Sequence, residues 1–150
     1  MQLLKNKPFL STPRAKDPLW APIAKRIRAR LGGKTIADSR RVMLLRDMPP
    51  VYYFPKTDVK MEWLEKSDRQ KDVTWGKAVF YHVNIGDSYA ENAVWSIDKA
   101  GKNAPDDLKD RIAFIWDAMD EWLEEDELVR FHPRDRYTRV DTLPGSQHVR

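Results

Sequence analysis

Most of the side chains able to move a proton or grip an anion crowd one end of this sequence. Residues 130–150 hold five arginines, two aspartates and two of the three histidines, His132 and His148. Pro133 biases His132 toward an extended conformation, and Arg136 to Leu143 alternates so that Tyr137, Arg139 and Asp141 share one face. A guanidinium steadied by a carboxylate and flanked by a tyrosine suits a phosphate or carboxylate, because its donors match two oxygens at once. Arg40, Tyr53, His132, Asp135 and Arg139 are the candidate ligand-binding residues, with His132 and Asp135 as proton-transfer groups if a reaction follows. The competing structural reading has Asp135 and Arg139 pairing to pin a terminal strand. Both stay open at this stage.

Other chemistries lack their residues. The absence of cysteine excludes disulfides, Cys-ligated zinc, iron–sulfur clusters and thiol catalysis. There is no phosphate-binding loop, G-x-G-x-x-G, H-E-x-x-H or G-x-S-x-G motif. His82 stands alone in an expected strand with no metal partner at fixed spacing, so neither a metal nor a cofactor is expected. No segment approaches the ~20 apolar residues of a membrane span, and the N-terminus has no signal-peptide core. The expectation is a cytoplasmic protein with a small-molecule ligand and no membrane partner. Nothing in the pattern fixes an oligomeric state.

Charge is distributed unevenly. The first 47 residues carry 12 basic and 3 acidic groups, whereas residues 101–129 carry 3 basic and 10 acidic. Such a basic third can meet nucleic acid through phosphates, but with no nucleic-acid signature the preferred reading is that it faces the acidic segment of its own fold. A chain of 150 residues, 41% hydrophobic, is long enough for one domain with a substantial core. The Pro-rich residues 1–22 read as an extension and 23–150 as a single domain.

Period-two patterns dominate that domain. Ile27–Leu31 and Lys34–Ala37 flank Gly32-Gly33 as a hairpin, since primed turns need positive φ. Val42–Leu45 and the segment through Phe54 read as strands, the latter with Tyr52 and Phe54 on one side and Val51 and Tyr53 on the other. Asp58–Glu65, Val73–Ile85 and Tyr89–Trp95 follow as strands, with Ser67–Asp72 a polar loop. One long helix is expected over about 105–125: Asn103 as cap, Pro105 in the first turn, and Leu108, Ile112, Ile115, Trp116, Met119, Trp122 and Leu123 as an apolar stripe. Asp117, Asp120, Glu121, Glu124 and Glu125 would then form its solvated back.

The strings IADSRR, PPVYYFPKTDVKMEWLE, ENAVWS, FIWDAMDEWLEED and HPRDRYTRVDTLPGSQHVR together resemble the family called domain of unknown function 427, over roughly Ile27 to Val149. The resemblance implies a mainly β (α+β) domain related to the β-tent, with two antiparallel sheets and one helix packed alongside. The family carries a nucleotidyltransferase-like label, which the acid pairs here do not support: Asp106-Asp107 and Glu124-Glu125-Asp126 fall at the ends of the expected helix rather than on strands. Many members have a Cys-Pro-aromatic-Lys-Gly string where this chain has Val73-Thr74-Trp75-Gly76-Lys77, so any mechanism needing that thiol is closed to it.

Overall fold

The computed structural model describes residues 20–46 and 50–130. These form the strands β1 (Trp20–Pro22), β2 (Ile27–Leu31), β3 (Lys34–Ser39), β4 (Met43–Leu45), β5 (Val51–Pro55), β6 (Leu64–Val73), β7 (Gly76–Asn84), β8 (Tyr89–Ala100), β9 (Arg111–Phe114), β10 (Glu121–Glu124) and β11 (Glu127–Val129). A seven-stranded sheet has the order β1-β4-β5-β9-β8-β7-β6, and a four-stranded sheet the order β11-β10-β2-β3. All their pairings are antiparallel.

The hairpin β2–β3 turns at Gly32-Gly33, with φ of 60° and 79° at the two glycines, the sign a primed turn requires. Asp120 accepts a hydrogen bond from the Gly32 N–H at 2.7 Å. The alternation read for β5 holds in three dimensions. Phe54, with Tyr52 beside it, packs into a core that also takes Ile27, Ala29 and Ile36 from the small sheet. Tyr53 and Val51 join a second core with Phe80, Ile97 and Ala113, covered by Ala104 and Leu108 from the connection after β8. The large sheet therefore has an inner face against the small sheet and an outer face with its own aromatic layer.

The expected helix over 105–125 is not present. That stretch is a 3₁₀ turn at Leu108–Asp110, strand β9, a 3₁₀ turn at Trp116–Ala118 and strand β10. β9 is central, and its alternate residues enter different cores: Ile112 and Phe114 the inner one, Ala113 the outer one. A strand buried on both faces is apolar at every position, and a short apolar run fits a helical stripe as well as a strand. The expected first-turn acid, Asp107, makes no cap hydrogen bond; it accepts from Trp20 Nε1 at 3.0 Å and Arg111 Nη2 at 3.4 Å. Asp58–Glu65 also differs from expectation, forming two 3₁₀ turns before β6 begins. The polar Ser67–Asp72 lies within β6, whose exposed edge position explains its loop-like composition.

Three of the acids assigned to a helix back, Glu121, Glu124 and Glu125, instead meet the basic N-terminal third, as does Asp126. Arg30 pairs with Glu121 at 3.1 Å, Lys25 with Glu124 at 3.4 Å, Arg40 with Glu125 at 3.5 Å and Arg28 with Asp126 at 3.5 Å. The Arg26 guanidinium reaches both oxygens of Asp38, at 2.8 and 2.7 Å, and holds that carboxyl below its usual range. Exposed pairs of this kind are each worth less than about 1 kcal/mol, but they spend the basic charge within the fold.

One polar link joins the sheets at their apolar seam: Tyr52 donates its hydroxyl to Glu124 at 3.2 Å. Burial first, then the Glu124 charge, raises the Tyr52 phenol above its ordinary value. An unfolded tyrosine ionises near pH ~10, so above that pH the unfolded chain binds fewer protons than the folded one, and stability falls. Tyr52 is expected to contribute nothing to the pH dependence below about pH 9, and a loss of up to ~1.4 kcal/mol per pH unit above about 10. Tyr52→Phe should flatten that alkaline slope. Identical slopes for the two proteins in urea titrations at pH 9 and 11 would refute the assignment.

Candidate functional site

Strand pairing writes a row of side chains across the outer face of the large sheet. Tyr53 of β5 stands opposite Ala113 of β9, Ala113 opposite Trp95 of β8, and Trp95 opposite Phe80 of β7. Directly opposed residues in antiparallel strands share a face. Ala113, being small, lets the rings on either side meet over it. The Trp95 indole donates to the Tyr53 hydroxyl at 3.3 Å, with ring centroids 6.3 Å apart. Trp20 lies 5.7 Å from Tyr53 at one end, and Phe80 lies 6.2 Å from Trp95 at the other.

Arginines bracket this row. Arg69 stacks its guanidinium over Phe80, 4.6 Å from the centroid. Arg111 lies beside Trp20, its Nη1 donating to the Arg41 and Tyr53 carbonyls at 3.0 and 3.3 Å while Nη2 faces Asp107. Its side chain is 15% exposed. Two carbonyls and a carboxylate thus fix the plane of this guanidinium, and its Nε has no partner among the described residues. A pre-oriented fork next to aromatic faces is suited to an oxyanion attached to a planar or apolar body.

Of the sequence-derived candidates, Tyr53 is the row's buried ring, only 2% exposed. Arg40 is elsewhere: its side chain, 66% exposed, pairs with Glu125 beside the β10–β11 turn of the small sheet. The structure does not bring these two together. His132, Asp135 and Arg139 lie outside the described residues. Trp95, Trp20 and Arg111 are not among the candidate site residues read from the sequence. The strand expected over Tyr89–Trp95 says nothing of the neighbours of Trp95, and the helical reading of 105–125 hides Arg111.

His82, two residues along β7 from Phe80, accepts a hydrogen bond at Nδ1 from the Asn92 N–H at 3.0 Å. The neutral ring therefore carries its proton on Nε2. A metal-ligating histidine normally donates from its second nitrogen, so this bond opposes ligation. No cluster of three or more potential metal-binding side chains occurs among the described residues. Val73, at the cysteine position of the family string, packs its side chain against the outer core. Among the described residues no helix is long and apolar enough to cross a membrane.

A family model described as "Domain of unknown function (DUF427)" matches residues 20–125, which span β1 through the end of β10. No curated protein matches the chain. The chain belongs to that family.

Proposed function

We propose that this member of the domain of unknown function 427 family binds a small anionic ligand, bearing a phosphate or carboxylate, on the aromatic outer face of its large sheet. The observation that carries the reading is the oriented Arg111 guanidinium at the end of the Trp20–Tyr53–Trp95 row. The aromatic rings offer contact area at low entropic cost, and the arginine supplies direction and charge. His132 and Arg139 are proposed as further donors from the terminal segment, with Asp135 as the carboxylate that steadies a guanidinium, and proton transfer by His132 and Asp135 is the alternative if the ligand is turned over. RNA binding through the basic N-terminal third has less support, since Lys25, Arg26, Arg28, Arg30 and Arg40 pair with carboxylates of the same chain.

The test is a thermal-shift panel of nucleotides, sugar phosphates and carboxylates on the wild type, Arg111→Lys, Trp95→Phe and Arg139→Ala. A ligand present at 100 times its Kd should add ~2.7 kcal/mol of stability to the wild type. Arg111→Lys should weaken it roughly tenfold or more, because an ammonium cannot reproduce the planar fork. If no compound shifts the wild type, or every variant responds as the wild type does, the reading fails.

A further inference from the structure

His82 stands where both neighbouring strands leave register. On β6 the pairing jumps between Lys66 and Gln70 while β7 advances from Tyr81 to Val79, and on β8 it shifts opposite Tyr81 to Val83. Bulges on both sides of one strand re-aim the side chains around it. One of the re-aimed residues is Asn92, a non-glycine residue at φ 50°, whose N–H leaves the ladder and goes to His82 instead. Its amide oxygen is held by the Ser67 hydroxyl, which also accepts from the Arg69 N–H at 3.0 Å. Asn is one of the few side-chain-bearing residues that readily adopts positive φ, and the bonds to His82 and Ser67 fix it there.

Several groups come to the surface here. The Tyr89 ring, 56% exposed, lies 5.6 Å from the imidazole at an interplanar angle of 35°. Glu65, directly opposite His82, accepts from Asn84 Nδ2 at 2.9 Å. The His82 Nε2–H and the Asn92 amide N–H groups have no partner among the described residues. The Tyr89 hydroxyl, like any ordinary phenol, is protonated at neutral pH and able to donate.

We infer that His82, Tyr89, Asn92 and Glu65 form a second binding site, separate from the Tyr53–Trp95–Arg111 row and beyond its Phe80 end, and that it takes a neutral carbohydrate ring. A pyranose offers an apolar C–H face for Tyr89 and hydroxyls that both donate and accept. The site matches that duality, with neutral donors at His82 and Asn92, an acceptor at Glu65 and a donor–acceptor at Tyr89. The Glu65 carboxylate, with Glu91 near Tyr89, disfavours an anion, which separates its ligand class from that of the arginine-bracketed row.

The experiment is a titration of the isotopically labelled full chain with maltotriose, cellotriose and mannotriose, and with a matched oligouronate, followed by amide and imidazole chemical shifts. Saturable shifts at His82, Tyr89 and Asn92 are expected with at least one neutral sugar, and smaller ones with the uronate. Tyr89→Ala, at an exposed position, should abolish them while leaving the rest of the spectrum in place, and Tyr89→Phe should retain most of the affinity. No saturable shift with any neutral sugar, stronger binding of the uronate, or shifts confined to Trp20, Trp95 and Arg111 would each overturn the assignment. The last result would leave the anion-binding reading standing.

Discussion

Gly76→Ala should destabilise the fold by ~3 kcal/mol or more, the cost of a strained φ plus a backbone collision. Gly76 opens β7 directly after the Thr74-Trp75 turn, at φ 142°, which L-residues rarely adopt. A Cβ built there would lie 2.1 Å from the Lys99 carbonyl oxygen and 3.0 Å from the Ala100 Cα. Those are main-chain atoms of the paired strand, so no rotamer change relieves the contact. Relief requires β7 and β8 to part where Gly76 pairs with Ala100. That end also holds the bond from the Gly101 N–H to the Trp75 carbonyl, at 2.8 Å. It starts the connection that carries Asp107 back to Trp20 and Arg111. Gly33→Ala is the control. It too has positive φ, but its Cβ would meet nothing within 4 Å, so only the conformational cost of about 1 kcal/mol remains. Urea midpoints for the two variants decide the matter: equal losses would mean that the strands at Gly76 are not as close as described.

That glycine shows why some of the fold was legible in the sequence and some was not. Gly32-Gly33 announces a turn because the need for positive φ is local, and Val51 to Phe54 announces its faces because alternation is local. Gly76 gives no comparable signal: what it avoids is the carbonyl of Lys99, a partner set by strand pairing. The same holds for β9. Ile112, Ala113 and Phe114 alternate between two cores, but when both faces are apolar the alternation disappears from the sequence, and helical spacing fits the neighbouring Leu108, Trp116 and Met119 by coincidence. β6 fails in the opposite sense, since an edge strand rich in Lys, Asp and Arg has the composition of a loop.

The candidate site divides along the same line. Tyr53 can be recognised as an aromatic hydroxyl in need of a partner, and one partner is the Trp95 indole, 42 residues away in sequence. Arg40 was chosen for its place beside a predicted hairpin, where its proximity to Tyr53 in sequence carried no information about space. Arg111, whose guanidinium bonds the Tyr53 carbonyl itself, sat inside the supposed helix and looked like one surface charge among many. From sequence His82 reads as a lone strand histidine, packed or half-exposed, with no metal partner. Its setting comes from two bulges, and bulges depend on the register between strands rather than on any one of them.

Trp122→Ala carries the second large expected effect, a loss of about 3–5 kcal/mol. Trp122 belongs to β10 of the small sheet, but its ring lies among aromatic residues of the large one. Tyr52, Phe54 and Phe114 have centroids 6.0, 6.2 and 6.1 Å away, and Trp116 stacks on it at 4.3 Å with an interplanar angle of 2°. Its indole N–H donates to the Trp116 carbonyl at 3.1 Å. Truncation therefore empties the junction between the sheets and removes a hydrogen bond at once. Trp122→Phe should cost clearly less, because it keeps most of the apolar volume while losing the N–H. Comparing the two separates packing from hydrogen bonding. The outer row and this junction lie on opposite faces of β5 and β9, so ligand binding at Tyr53 and Trp95 should survive Trp122→Phe with affinity changed less than threefold. Urea denaturation and the ligand titration on the same two proteins check both parts. A Trp122→Ala loss below ~1.5 kcal/mol would show that the sheets are not held together at this ring.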